Sequence, residues 1–121
     1  RLDDVLNYVP ARITALLMTT AAFLLHLDGR NAWRIVLRDH ANHLSPNCAW
    51  SESAAAGALH VQLGGTHSYF GKPVQKPTIG DDDRPAASKD VYRTVMLLYG
   101  AAVQALFLFG GVAWLVTFTS R

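Results

Sequence analysis

The sequence predicts an all-α fold, a helical fragment of an integral membrane protein with one long polar loop. Three observations carry this. From 94 to 118 there is no charged residue and only Gln104 is strongly polar; as helix, that run would extend about 37 Å at 1.5 Å per residue, more than a hydrocarbon core of about 30 Å. A second, shorter apolar run occupies 13 to 27. Between them, SPNCAWSESAAAGALHVQLGG at 45 to 65 places Ala49, Ser53 and Gly57 at every fourth position, a spacing that lets another helix backbone come into contact. A buried soluble helix is the alternative for the long run, but soluble helices are seldom apolar all round. Gly100, Gly110 and Gly111 fit the membrane reading, because glycine is commoner there.

The first motif is RLDDVLNYVPAR at 1 to 12. A helix here stacks Asp3 and Asp4 over Asn7 at spacings of four and three, so three oxygen-bearing side chains converge. Hard cations such as Mg²⁺ take one or two carboxylates from a protein and further oxygens from substrate phosphates. The competing reading is a solvated first turn whose acids sit near the positive end of a helix. Pro10 should end or kink this piece, with Arg12 just beyond it. The run from 13 to 27 reaches only about 22 Å; a membrane or re-entrant helix therefore needs 8 to 28. His26 reads as an interfacial histidine. From 31 to 43 the pattern is amphipathic, with Trp33 and Leu37 on one stripe and Arg30, Arg34 and Arg38 on another, a solvated or lipid-facing stripe suited to a membrane surface. His40 and His43 are three apart but lack a third ligand for zinc.

In the central stretch, Ser45 followed by Pro46 is a helix start, the helix running from 46 to 63 and stopped by Gly64-Gly65. Glu52 is the sole acid between Asp39 and Asp81. The segment from 66 to 89 is rich in Gly, Pro and Asp and reads as a loop, with Asp81, Asp82 and Asp83 a solvated acidic turn. The lysine of a P-loop is missing after Gly64-Gly65-Thr66. Residues 29 to 90 carry Arg30, Arg34, Arg38, Lys72, Lys76, Arg84 and Lys89, which places them in the cytoplasm by the positive-inside rule. A net charge of +2 with scattered basic residues argues against nucleic acid, and a single cysteine excludes an internal disulfide. The chain is a single domain over 1 to 121, read as the C-terminal part of a longer protein. One conflict follows. If 13 to 27 spans the bilayer, Asp3 and Asp4 emerge on the far side from the central helix; the segment is therefore expected to stop part-way or tilt, bringing Asp3, Asp4 and Asn7 beside Asn47 and Glu52.

RLDDVLNYVPAR, SPNCAWSE, AGALHVQLGG, Tyr69-Phe70-Gly71 and Lys76-Pro77-Thr78-Ile79-Gly80 follow one another as they do in the CbiB/CobD family of cobalamin biosynthesis, the adenosylcobinamide-phosphate synthases, and the chain resembles the C-terminal part of that family over nearly its whole length. The resemblance implies a multi-pass enzyme of the bacterial inner membrane that joins adenosylcobyric acid to aminopropanol, or its O-phosphate, through an amide bond, with ATP activating the carboxylate. Its partners would then be the corrinoid, aminopropanol, the lipid bilayer and the remaining N-terminal helices. In that chemistry Asp3, Asp4 and Asn7 are the candidate Mg²⁺ ligands, Arg12 the cation for phosphates, and Glu52 the group that accepts the amine's proton or holds its ammonium. Ser45, Asn47 and Trp50 are the candidate substrate contacts. The rival expectation is a non-catalytic membrane sensor or transporter subunit of related fold.

Overall fold

The structure, a computed structural model, describes residues 2–43 and 45–120, with the side chains of 66–69 and 74–76 left out of the description. Seven elements follow in order: α1 (Leu2–Leu6), α2 (Tyr8–Leu24), α3 (Gly29–Asp39), α4 (Cys48–Leu59), β1 (Leu63–Tyr69), β2 (Lys72–Ile79) and α5 (Ser88–Thr119). The fold is mostly helical, as the patterning predicts. Pro10 does not end a helix. It falls in the first turn of α2, where its missing N–H costs little, and the break comes at Asn7 instead. Asp28 begins α3 by accepting the Asn31 N–H at 3.0 Å.

The core is built from small side chains. Ala15, Ala21 and Ala22 of α2 meet Ala32 and Val36 of α3 and Ala54 and Ala58 of α4, with Met18, Leu59 and Leu97 supplying bulk. Small residues let the helices approach closely, and Gly57 shows how closely: a Cβ there would lie 2.6 Å from the Asn31 carbonyl oxygen and 2.7 Å from the Ala32 Cα. The Ala49, Ser53 and Gly57 face is thus the contact surface for α3, and Ala49 and Ser53 are fully buried.

α5 has 32 residues and is the one helix among those described that is long and apolar enough to cross a membrane. Its first half packs on α2. A Cβ at Gly100 would sit 2.9 Å from the Ala21 Cβ, and Gln104 donates to the Leu17 carbonyl at 2.9 Å, so the two helices run antiparallel. From Leu106 onward every described residue of α5 is exposed, including Phe107, Phe109, Trp114 and Phe118.

Four expectations need correcting. α4 starts at Cys48, not at 46: Asn47 is the residue before it, and Ser45 Oγ accepts the Asn47 N–H at 3.4 Å instead of capping the first turn. The same helix stops at Leu59. His60 takes the left-handed conformation (φ 56°), and the bonds Val61 N–H to Ala56 O (3.1 Å) and His60 N–H to Gly57 O (3.4 Å) close a Schellman motif.

Gly64-Gly65 is therefore no helix stop. It opens a β-hairpin where a loop was expected, with Leu63 opposite Ile79 and Tyr69 opposite Lys72. At Gly64 (φ +81°) a Cβ would meet the Pro77 carbonyl oxygen at 2.1 Å, and the register slips between Leu63 and Gly65, which is what the glycines are for. The turn at Phe70-Gly71 has positive φ at both residues, as a two-residue hairpin demands. Lastly, the arginine stripe is not merely solvated. Arg34 and Arg38 both pair with Asp81, and Arg38 also grips the buried Asp39, whose carboxylate accepts the Gly80 N–H at 2.8 Å. These bonds fasten the end of the hairpin to α3.

A candidate cation and substrate cleft

α2 leads away from α1, α3 returns beside it, and the 40s loop brings Asn47 back to the first residues. There Asn47 donates from Nδ2 to the Asp4 carbonyl at 3.0 Å. The result is a cleft of about 420 Å³ lined by Asp3, Asp4 and Asn7 at one side, Ala11 and Thr14 of α2 below, and Ser45, Asn47, Cys48 and Ser51 opposite. Five of the eight sequence-predicted site residues, Asp3, Asp4, Asn7, Ser45 and Asn47, meet in it.

The cleft's polar side chains are two carboxylates, two amides, three hydroxyls and the Cys48 thiol. Because the Asn47 Nδ2 is committed to a carbonyl, which can only accept, the orientation of its amide is set and Oδ1 is the end left over. That oxygen is buried and has no partner, and the side chain is only 9% exposed. A buried unpaired acceptor costs about 1–3 kcal/mol. The Asp3 and Asp4 carboxylates on the same cleft are the kind of oxygen donor a hard cation takes. No cluster of three or more His, Cys, Asp or Glu that could hold a metal occurs among the described residues; any metal here would draw its further ligands from asparagine or from a ligand's own oxygens.

The other three predicted residues lie outside this cleft. Arg12 lies flat on Tyr8, its guanidinium carbon 3.3 Å from the ring centroid, and 4.5 Å from that of Trp50, while Nη1 donates to the Tyr8 carbonyl at 2.7 Å. Trp50 stacks in turn on His40 at 4.4 Å, so the pair fastens α2 to α3 and α4 with an aromatic ladder. The Trp50 indole N–H is buried without an acceptor. Glu52 is on the next turn of α4, facing an adjoining groove, with Oε1 4.0 Å from His43 Nε2. His40 and His43 thus take different partners, Trp50 and Glu52.

Sequence reasoning missed the charge cluster at the opposite end of the bundle. His60 bridges Asp28 (2.7 Å, Nε2) and Asp83 (2.9 Å, Nδ1), tying the start of α3 to the end of α4 and the approach to α5. The two carboxylates raise the His60 pKa above its ordinary value, Asp83 having the larger effect. The Arg38 guanidinium, with help from the Gly80 N–H, holds the Asp39 carboxyl below the usual range. Arg84 joins Asp90 at 2.9 Å and the Leu59 carbonyl at 2.7 Å. Asp81 and Asp83 are therefore partnered, where a solvated turn was expected. The signal for them lay in the alternation of Arg34 and Arg38 on one helix face, which needs an acid nearby once that face is not left to water.

A family model described as CobD/Cbib protein matches residues 1–98. The chain is 55% identical over 119 residues to a cobalamin biosynthesis protein CobD of Geobacter metallireducens, covering 98% of this chain and 37% of that protein. It is 47% identical over 112 residues to CobD of Listeria monocytogenes serotype 4b (93% and 36%) and 53% identical over 108 residues to a cobalamin biosynthesis protein CbiB of Salmonella typhimurium (89% and 34%). The chain thus spans about a third of the length of these curated relatives. No solved structure matches it.

Proposed function

The chain belongs to the CobD/Cbib protein family, and from that premise we propose that it serves cobalamin biosynthesis as part of a membrane enzyme that joins adenosylcobyric acid to aminopropanol, or its O-phosphate, in an ATP-dependent amide ligation. The observation that carries the reading is the meeting of Asp3, Asp4 and Asn7 with Ser45 and Asn47, from two distant parts of the chain, in one oxygen-lined cleft. A relic that kept only the fold would have no need of that convergence.

In this reading the ligand's phosphates bind at the cleft. ATP would supply the activation, turning one carboxylate oxygen of the acid into part of a phosphate leaving group, and a bound Mg²⁺ would supply positive charge to those phosphates. The residues present fit such an ion: Asp3 and Asp4 carry carboxylates on the cleft and Asn7 an amide oxygen, the kind of donor a hard cation takes. Ser45 and the rim of α4 contribute hydrogen bonds to the acid. The attacking amine must be neutral, and amide formation releases a proton from its nitrogen. Glu52, which faces the adjoining groove with its Oε1 4.0 Å from His43 Nε2, is the carboxylate we assign to accept that proton. The neutral nitrogen bonds to the acyl carbon, phosphate departs, and the proton leaves that nitrogen for Glu52. Arg12 stays one step removed, holding Trp50 and the start of α2 in place.

The test is ATP-dependent conversion of adenosylcobyric acid by membranes carrying the full-length protein, with Asp3→Asn and Asp4→Asn compared with the parent. Loss of product in the variants, with rescue by raised Mg²⁺, supports the reading; parental turnover in the double variant refutes it.

A further inference from the structure

The cleft gathers oxygen and no cation. Its walls carry two carboxylates and neither lysine, arginine nor histidine, so a phosphate-bearing ligand with its Mg²⁺ still lacks the Lys or Arg that usually meets such charge. Among the described side chains, Arg34 and Arg38 are held by Asp81, and Arg84 and Arg93 by Asp90, while Arg12 lies on Tyr8 and Trp50. Arg30 and Lys89 stand in the first turns of α3 and α5, at the end of the bundle away from the cleft. Lys72 remains. It is exposed at the start of β2, in a hairpin that contains no acid, since none occurs between Glu52 and Asp81.

The hairpin runs toward the end of the molecule where the cleft lies. Its base is pinned: Ile79 is buried, the Gly80 N–H donates to Asp39 at the end of α3, and Gln62 Nε2 donates to the Gly80 carbonyl at 3.3 Å. Earlier in β2, the Thr78 carbonyl accepts from Asn42 Nδ2 at 3.1 Å. From Gly80 back to Thr78 the strand thus follows α3 to its C-terminal end and past it. Asn42 opens the loop whose later members, Ser45 and Asn47, form one rim of the cleft. Ser45 can lie no more than about 11 Å from Asn42, at 3.8 Å per residue. The strand from Thr78 out to Lys72 is an arm of about 20 Å, long enough to cross that rim and the cleft behind it.

The outer part of this arm is unsupported. Phe70, Gly71, Lys72, Pro73 and Pro77 are all exposed, and a two-stranded ribbon with no packed face is marginal by itself. Phe70 takes the left-handed conformation (φ 52°), uncommon for a bulky residue, and its side chain is wholly exposed at 104%. At the root, Gly64 and Gly65 have φ of +81° and +92° beside the register slip, a backbone that can bend where a side-chain-bearing pair could not. We propose that the hairpin is a closing arm: it bends at Gly64-Gly65 over the cleft, and Lys72 binds the phosphates of a nucleoside triphosphate whose Mg²⁺ is gathered by Asp3 and Asp4. The inference rests on the amide-ligation reading and deepens it by naming the cation that the phosphates meet and the element that carries it. Phe70, at the tip beside Lys72, covers the mouth and keeps water from the activated acid. An anionic bilayer surface, which an exposed Phe and Lys also suit, is the competing outcome.

Spin labels read the arm directly. In the full-length protein, with its native cysteines replaced by serine, labels are placed at Pro73→Cys near the tip and at Val5→Cys in α1, across the cleft, both exposed positions. Their separation is measured by double electron–electron resonance in lipid nanodiscs. The unhydrolysable analogue MgAMP-PNP should shorten it by roughly 10 Å, half the length of the arm. Lys72→Met should abolish the shortening and raise the KM for ATP several-fold, and Lys72→Arg should restore both. A separation indifferent to the nucleotide overturns the arm, as does one that follows the phosphatidylglycerol content of the discs instead. Normal closure with a parental KM in Lys72→Met overturns the role of Lys72. If ATP-dependent product forms in the parent and is lost in the double Asp3→Asn, Asp4→Asn variant while the arm stays open, only this inference falls. If the parent forms no product, the ligation reading falls, and the separation by itself decides the arm.

Discussion

Gly57→Ala tests whether close approach of α3 and α4 holds the candidate site together. The added methyl would meet the Asn31 carbonyl oxygen at 2.6 Å and the Ala32 Cα at 2.7 Å, against about 3.5–4.0 Å for a comfortable carbon contact. The helices must therefore part by roughly 1 Å, and since both obstacles are backbone, no side chain can swing aside. Overpacking of this kind costs about 1–3 kcal/mol. Alanine returns about 1 kcal/mol of helix propensity, so a net loss of up to about 2 kcal/mol is expected, against a gain of about 1 kcal/mol where a glycine has free space around it. The same shift would pull His40 from Trp50 and loosen the bond from Asn31 Nδ2 to the Gly57 carbonyl, now 2.8 Å. Gly110→Ala is the control, since nothing lies within 4 Å of a Cβ there. The assay is denaturant unfolding of the full-length protein in mixed micelles, followed by tryptophan fluorescence. Equal midpoints for Gly57→Ala and Gly110→Ala would refute the argument, because propensity alone would then account for both.

Glu52→Gln keeps the size of the side chain and removes its base; turnover should fall about 10²–10⁴-fold with membrane insertion intact, and a parental rate would exclude the proton-accepting role. Leu106→Arg puts a charge at an exposed α5 position and should cost about 2.5–3.5 kcal/mol of insertion; a variant recovered as a soluble folded monomer would remove the membrane reading of α5. His60 has a raised pKa, so the stability it contributes is full below its unfolded value of about 6.5 and is lost as pH rises through the higher folded value. The thermal midpoint should therefore drop across that window in the parent and stay flatter in His60→Gln; parallel profiles would contradict the bridge. Leu2→Cys in a Cys48→Ser background should resist a membrane-impermeant thiol reagent in intact cells and react after lysis; strong labelling from outside would separate Asp3 and Asp4 from cytoplasmic ATP.

What was legible in the sequence was whatever depends on local pattern or on size. The uncharged run of α5, the amphipathic face of α3 and the small stripe of Ala49, Ser53 and Gly57 all state their environment in composition, and each packs or projects accordingly. The hairpin was hidden because neither strand alternates: Leu63-Gly-Gly-Thr has no apolar face, and Pro73 and Pro77 read as loop residues although both are tolerated on edge strands. The end of α4 was hidden for a related reason. A left-handed helix stop is expected at glycine, and here His60 takes it, its cost of conformation offset by ion pairs with Asp28 and Asp83 that are 32 and 23 residues away. Arg12 shows the same limit from the other side. The family resemblance made it the candidate cation for phosphates; its neighbours Tyr8 and Trp50 could not be read from local pattern, since the second is set by how α2 lies on α4.

The topological conflict posed by the sequence turns on the path of the chain. Counting hydrophobic segments treats everything between the two apolar runs as remaining on one side, so an α2 of about 25 Å would carry Asp3 and Asp4 away from Asn47. In the structure α3 runs back along that path for 11 residues, about 16 Å, and the loop to Asn47 covers the rest. The chain goes out along α2 and returns along α3 before α4 begins, so the two motifs reach the same end of the bundle and bond there. α5 leaves from the opposite end, beside Arg84, Asp83 and His60, and touches α2 from Leu17 to Ala21 before running on alone. The proposed chemistry needs ATP at the Asp3 end, and the positive-inside rule places the start of α5 in the cytoplasm as well. Both ends of α2 then belong to one side, which a helix crossing the bilayer upright could not satisfy. The C-terminal half of α2 packs against α5, while Asn7, Pro10, Ala11 and Thr14 face the cleft beside α4.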